Sequence, residues 1–323
     1  MPMQWWEMSS WRSSRTAAPD LESDMHLPED FIRNVTHVRG DDGRRWLDGL
    51  PSLIDACARE YGLTVGEPFE LSYNFVAPAT LADGSEAVLK LSPHGDDFAH
   101  EVRATRAFGG DGMARLIAAD EERGVALLER LRPGRMLVEL DGDEEQTRIA
   151  AGVMRELRAA RAAADGLPAT RHWFRAFAQH RAEHGGAGPL PRDVFEHGEE
   201  TYASLLESTT EEIVLHGDLH HYNILSAGRA PWLAIDPHGV TGDPVFEVGA
   251  FFGNPSGIDA RPRLDRILAR RADIFAETLG YDRARILRWA FAYQVLSAVW
   301  SAENQGTKWR GATAVASAIR TLL

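Results

Sequence analysis

The sequence predicts an α+β fold in two lobes: a small N-terminal lobe built on an antiparallel sheet, then a larger, mainly α C-terminal lobe. Three observations predict it. Short runs of strand character gather between Phe69 and Glu129 around one helical stretch, apolar residues recur at helical spacing beyond Asp143, and the breaker pair Pro133-Gly134 stands between the two patterns. The expected division is 25–132 and 133–323. Residues 1–24, where Ser, Arg, Ala and Asp follow a Trp5-Trp6 pair without periodicity, are expected to form a disordered tail, and Met25 is a candidate natural start.

In chain order, Leu50, Leu53, Ile54, Cys57, Ala58 and Tyr61 mark one face of a helix that Gly62 ends. Cys57 lies on that stripe and reads as a buried small hydrophobe, not a nucleophile. Phe69–Ala77 and Glu86–Ser92 read as strands around an Asp83-Gly84 turn, and Leu116–Ala119 and Gly124–Glu129 as two more. Between these pairs Phe98, Val102 and Thr105 mark a helix over Asp97–Phe108. In the second lobe Ile149, Val153, Met154 and Leu157 give one face to a helix over 143–164, and further helices are expected at 172–183, 192–208, 263–279 and 282–302. The stretch Trp289–Trp300 is apolar almost all round, which predicts a buried helix. Asp243 precedes Pro244 as an N-cap precedes a first helical turn, and Asp243 and Glu247 are read as scaffold.

Composition bounds the function. Lys plus Arg number 35 against 48 Asp plus Glu, a net charge of −13. Such a surface repels nucleic acid and anionic membrane and attracts small cations. The single cysteine excludes an internal disulfide and a multi-cysteine zinc site. No apolar run has the length of a membrane span and the N-terminus lacks signal-peptide character, so a cytoplasmic protein is expected.

The chemistry concentrates in E-E-I-V-L-H-G-D-L-H-H-Y-N-I-L-S-A-G-R-A-P-W-L-A-I-D-P-H-G, from Glu211 to Gly239. Asp218 lies five residues before Asn223, and Asp236 thirteen beyond it; the apolar runs Ile213–Leu215, Ile224–Leu225 and Trp232–Ile235 make these groups strand-end and loop residues facing one site. Phosphoryl transfer from ATP asks for this set: a base for the attacking hydroxyl, here Asp218, and oxygen ligands for Mg2+, here Asn223 and Asp236. His220 and His221 are bystanders on that reading. A competing reading takes His216, Asp218, His220 and His221 as the metal cluster of a metallophosphoesterase. That fold also wants an upstream D-x-H after a strand and a downstream G-N-H, where this chain has only Asp24-Met25-His26 in a polar stretch and Gly253-Asn254-Pro255. A catalytically silent nucleotide binder is a third.

H-G-D-L-H-H-Y-N and I-D-P-H-G resemble the catalytic loop and the D-F-G segment of protein-kinase-like phosphotransferases, specifically the aminoglycoside phosphotransferase family. G-D-P-V-F-E-V-G-A-F-F-G-N-P, Gly242 to Pro255, is similar to its streptomycin 6-phosphotransferase and hydroxyurea phosphotransferase branch. The resemblance covers roughly 45–310. It implies a kinase-like bilobal fold and transfer of phosphate from ATP with Mg2+ to a hydroxyl of a small antibiotic, a streptomycin-type aminoglycoside, conferring resistance; hydroxyurea is the alternative acceptor.

It also implies roles. Lys90 ends the strand A-V-L-K and Glu101 falls eleven residues later on the stripe of Phe98 and Val102, matching the kinase Lys–Glu pair that holds the α and β phosphates. Glu129 to Leu131 matches the adenine-binding hinge. The segment Leu71–Pro78 has no glycine, but Ser72 and Asn74 stand where donors to phosphate are needed, and no G-x-x-x-x-G-K-[ST] occurs. For a cationic acceptor, Trp300 and Glu303 at helical spacing offer a ring and a carboxylate, and Asp259 a second carboxylate beyond the catalytic loops.

Overall fold

The computed structural model describes residues 27–160, 163, 165–303 and 307–323; the expected tail and Met25 lie outside them. The described chain forms two compact units, one of residues 27–102 with 115–130, the other of 103–114 with 131–323.

The first unit is an antiparallel five-stranded sheet between helices. Helix α1 (Glu29–Tyr61) is kinked at Gly40 and closed by Gly62, whose left-handed backbone lets its N–H reach Ala58 O. It starts well before the stretch expected from periodicity, because Phe31 and Val35 seat the first segment on the same core as Leu50, Ile54 and Cys57. Strands β1 (Leu63–Val65), β2 (Phe75–Leu81), β3 (Glu86–Leu91), β4 (Leu116–Asp120) and β5 (Val125–Glu129) run in the order β1-β2-β3-β5-β4, with helix α2 (Asp96–Phe108) following β3. The strand expected over 69–77 begins only at Phe75 and continues through Pro78, whose carbonyl accepts the Gly66 N–H at 2.8 Å. Strand β1, too short for a visible alternation, was not expected; it pairs with β2 from Leu63↔Leu81 to Val65↔Ala79. Period-two geometry does the sorting. Ala87, Leu89, Leu91, Val125 and Leu127 face the α1 side, whereas Ala126 and Leu128 pack against Phe98 and Val102 of α2. Lys90, between Leu89 and Leu91, is thereby turned to the α2 face.

The second unit is mainly helical: α3 (Asp143–Ala159), α4 (Thr170–Trp173), α5 (Arg175–His184), α6 (Arg192–Glu207), α7 (Gly249–Phe252), α8 (Leu264–Leu279), α9 (Arg283–Glu303) and α10 (Trp309–Arg320). The stretch expected as one helix over 172–183 is split at Phe174, and the one over 143–164 stops at Ala159. Helix α10 was not expected; its stripe Ala312, Val315, Ala316, Ile319 packs against α9. Helix α9 is buried along most of its length and touches α5, α6, α7, α8 and α10, which is why its sequence is apolar on all sides. Two short antiparallel ribbons stand out: β6 (Ile213–Leu215) with β9 (Val240–Gly242), and β7 (Ile224–Ser226) with β8 (Trp232–Ala234). Asp243 caps the 3-10 turn Pro244–Val248, its Oδ1 accepting the Val245 N–H at 2.9 Å, and it also pairs with Arg285. Among the described residues no helix is long and apolar enough to cross a membrane.

Candidate active site

The two ribbons present the loop 216–223 and the segment 235–239 together. Asn223 N–H donates to His220 O at 2.9 Å, closing the loop, and Ile235 N–H donates to Asn223 O at 3.0 Å, which brings the residue before Asp236 onto Asn223. The Asn223 side-chain amide donates to Asp218 O at 3.0 Å. With its nitrogen so committed, the amide oxygen is the atom of Asn223 that remains for a cation. Asp236 holds a left-handed backbone, φ 57°, a conformation that costs a non-glycine residue on the order of 1 kcal/mol or more. Such strain clusters at functional sites.

Asp218 is 6% exposed. Burial by itself raises its carboxyl, but the imidazoles of His220, His238 and His216 outweigh that and hold it below the usual range. His220 Nε2 stands 3.4 Å and His238 Nε2 3.8 Å from Asp218 Oδ2. His220, read from the sequence as a bystander, is thus the nearest imidazole to that carboxylate. The loop itself is anchored from behind by Glu247, whose two oxygens accept the His216 N–H at 2.8 Å and the Gly217 N–H at 3.0 Å. Burial outweighs those bonds and pushes Glu247 up to about 7. Gly217 has φ 83°, and a Cβ on it would meet Val240, Trp173 and His238 within 3.4 Å.

The metal-cluster reading of His216, Asp218, His220 and His221 is not met. Both nitrogens of His216 are engaged inside the fold, Nε2 with Ile235 O at 2.7 Å and Nδ1 accepting the Asp218 N–H at 3.2 Å; burial lowers this imidazole to about 4. His221 is stacked on Phe251 at 3.9 Å and is fully buried. Among the described residues no group of three or more His, Cys, Asp or Glu is placed to hold a metal ion. The imidazoles serve the loop's geometry and the charge of Asp218.

In the sheet unit, Lys90 Nζ lies 2.6 Å from Glu101 Oε1, both nearly buried. A buried carboxylate requires such a partner, and the pairing follows from Lys90 facing α2 while Glu101 shares the inward stripe of Phe98 and Val102. Ser72 and Asn74 fall in the bend between β1 and β2; Asn74 is 4% exposed with its Oδ1 unpartnered, and Asn34 Nδ2 donates to Ser72 O at 3.3 Å. Glu129 ends β5. Its N–H donates to Arg115 O at 2.8 Å and its side chain accepts the Arg115 N–H at 3.0 Å. In the helical unit Leu131 is buried against Ala114 and Leu233.

Of the three residues expected at the acceptor, Trp300 is buried and set edge-on to Trp173 at 5.3 Å and to Tyr293 at 6.5 Å. Trp173 is in turn edge-on to His238 at 5.9 Å, so Trp300 belongs to an aromatic set that reaches the Asp218 neighbourhood. Glu303 ends α9 half-buried, its Oε1 without a hydrogen-bond partner, and burial followed by the charge of Glu183 raises it to about 7. Asp259 is exposed on the 3-10 turn Ile258–Ala260, against Gly311 of α10. The sequence reading missed Tyr293, Trp173 and His238. The first two lie in stretches read only as helices, 172–183 and 282–302, and His238 carried no signal beyond following Asp236.

Residues 64–305 match the family described as aminoglycoside/hydroxyurea antibiotic resistance kinase. The streptomycin 6-kinase of Streptomyces griseus is 33% identical over 301 residues, 90% of this chain and 94% of that enzyme. The hydroxyurea phosphotransferase of Kitasatospora aureofaciens is 33% identical over 87% of this chain and 81% of its own length. Among solved structures, the choline kinase LicA of Streptococcus pneumoniae superposes with a TM-score of 0.58 at 13% identity, covering 84% of this chain and 99% of that one, a likeness of fold alone. The chain therefore has the protein-kinase-like α+β fold, is an antibiotic-modifying O-phosphotransferase, and belongs to the aminoglycoside/hydroxyurea antibiotic resistance kinase family.

Proposed function

We propose that the protein transfers the γ-phosphoryl group of ATP, with Mg2+, to a hydroxyl of a streptomycin-type aminoglycoside and so confers resistance. The observation that carries the acceptor is the match to a streptomycin 6-kinase along nearly the whole of both chains. The net charge of −13 favours the same choice, since it attracts a polycation and gives nothing to a neutral acceptor.

The residues present fit the reaction. Asn223 and Asp236 offer hard oxygen donors, one freed by the bond its amide nitrogen makes to Asp218 O, the other held on a strained backbone. They would hold Mg2+, which when bound neutralises charge on the phosphate oxygens. Asp218, kept ionised by its imidazole neighbours, accepts the proton of the attacking hydroxyl. Lys90, oriented by Glu101, pairs with the α and β phosphates, and Ser72 and Asn74 offer polar groups to phosphate. Glu129 and Leu131 are the adenine-side candidates, the Glu129 N–H itself being spent on Arg115 O. Trp300, Glu303 and Asp259 are the acceptor-side candidates.

The test is incubation with ATP and Mg2+ and mass-spectrometric scoring of streptomycin and hydroxyurea for an added phosphate. Phosphorylated streptomycin is the expected product. Phosphorylation of hydroxyurea alone replaces the acceptor and leaves the kinase chemistry in place; the match to a hydroxyurea phosphotransferase makes this the second reading.

A further inference from the structure

A tyrosine hydroxyl buried in an apolar helix needs a hydrogen-bond partner. Tyr293 of α9 has one in the catalytic loop: its hydroxyl lies 3.4 Å from Asp218 Oδ1 and donates to it. The ring has little freedom to turn elsewhere. Gly249, the first residue of α7, lies so close that a Cβ there would stand 2.4 Å from Tyr293 Cγ, and the edges of Phe246 and Trp300 close two further sides, with centroids at 5.4 and 6.5 Å. Burial, and after it the charge of Asp218, pushes the phenol well above its usual range, so the hydroxyl remains a donor. The second carboxylate oxygen, Oδ2, faces His220 and His238. Asp218 is thus approached on one oxygen from α9 and on the other from its own loop and the segment after Asp236. The separation of 3.4 Å is long for an O–H···O bond, as hydrogen bonds in sites without substrate often are before they tighten in the reactive complex.

We propose that Tyr293 is a positioning residue for phosphoryl transfer: its hydroxyl, seated by the absence of a side chain at Gly249, orients the Asp218 carboxylate toward the acceptor hydroxyl. The inference rests on Asp218 being the base. It gives the glycine of E-V-G-A-F-F a reason, because any side chain at 249 displaces the ring.

Tyr293→Phe keeps the ring and removes the donor. Wild type, Tyr293→Phe, Asp218→Asn and the double variant are compared at saturating ATP and Mg2+. The acceptor is streptomycin or hydroxyurea, whichever the wild type turns over, or water where it uses neither. Loss of one hydrogen bond to a charged group should lower kcat roughly ten- to a hundredfold. The KM values for ATP and acceptor and the melting temperature should stay near those of the wild type, and Tyr293→Phe should add nothing once Asp218 is Asn. Wild-type kcat in Tyr293→Phe overturns the proposal. So does a parallel change in kcat and KM that persists in the Asp218→Asn background, which marks a purely structural role. Full activity in Asp218→Asn overturns the base assignment itself, and the proposal with it.

Discussion

Glu247→Gln isolates the electrostatic side of the loop anchor. In the wild type each Glu247 oxygen accepts one backbone N–H, from His216 and from Gly217, in a site closed to water. Glutamine has one acceptor oxygen, so one of those N–H groups meets an amide NH2 and goes unsatisfied, at about 1–3 kcal/mol. The wild-type group also carries a pH dependence that glutamine lacks. Its folded-state pKa is raised from 4.5 to about 7, so the folded chain holds a proton that the unfolded chain releases. The associated stability is fully present below the unfolded value and is lost as pH rises through the folded one. One pKa unit is about 1.4 kcal/mol, so the whole shift is worth about 3 kcal/mol, of which about 2 kcal/mol falls between about pH 5.5 and about pH 8. Urea unfolding of both proteins at these two values reads it directly. The wild type should exceed the variant by about 2 kcal/mol more at the lower pH than at the higher. His216, whose lowered pKa acts in the opposite direction, and Glu303 are present in both proteins and cancel in the difference to first order. An equal gap at the two pH values refutes the reasoning: the carboxylate would then be ionised throughout, its two N–H bonds outweighing its burial.

Asp236→Asn should keep the fold, because Asn also tolerates the left-handed backbone, while turnover with Mg2+ falls by orders of magnitude; retained turnover removes Asp236 from the metal. His220→Ala should keep kcat near neutral pH within about tenfold and move the acidic limb of its pH profile upward, since the nearest imidazole that holds Asp218 low is gone. A limb at its wild-type position separates His220 from the ionisation of the base. The kcat/KM for streptomycin should fall between low and physiological ionic strength, where the screening length is about 8 Å, and that for hydroxyurea should not; salt-indifferent streptomycin turnover removes the steering argument.

What was legible in the sequence, and what was not, divides along the reach of the signal. Asp218, Asn223 and Asp236 carry fixed spacing within one stretch and apolar runs on either side, so their loop placement was readable, whereas the Lys90–Glu101 pair was implied by the family resemblance, with Glu101 on the helical stripe of Phe98 and Val102. Strand β1 was hidden because three residues cannot show alternation, and α10 because alanine and threonine take three of the five buried positions of its stripe. The groups that hold the site from behind left a different kind of silence. Tyr293 lies 75 positions beyond Asp218, in a helix whose every face is apolar, and nothing local distinguishes its hydroxyl from that of a core tyrosine. Glu247 was read only as scaffold and becomes an anchor because the 3-10 turn after Asp243 aims it at two N–H groups 30 and 31 positions earlier. The residues proposed to touch reacting atoms are specified by local chemistry. Those that hold them in place are specified by packing, and Gly249 is where the two meet: its glycine is visible in the sequence, but its purpose appears only once the ring of Tyr293 is seen against it.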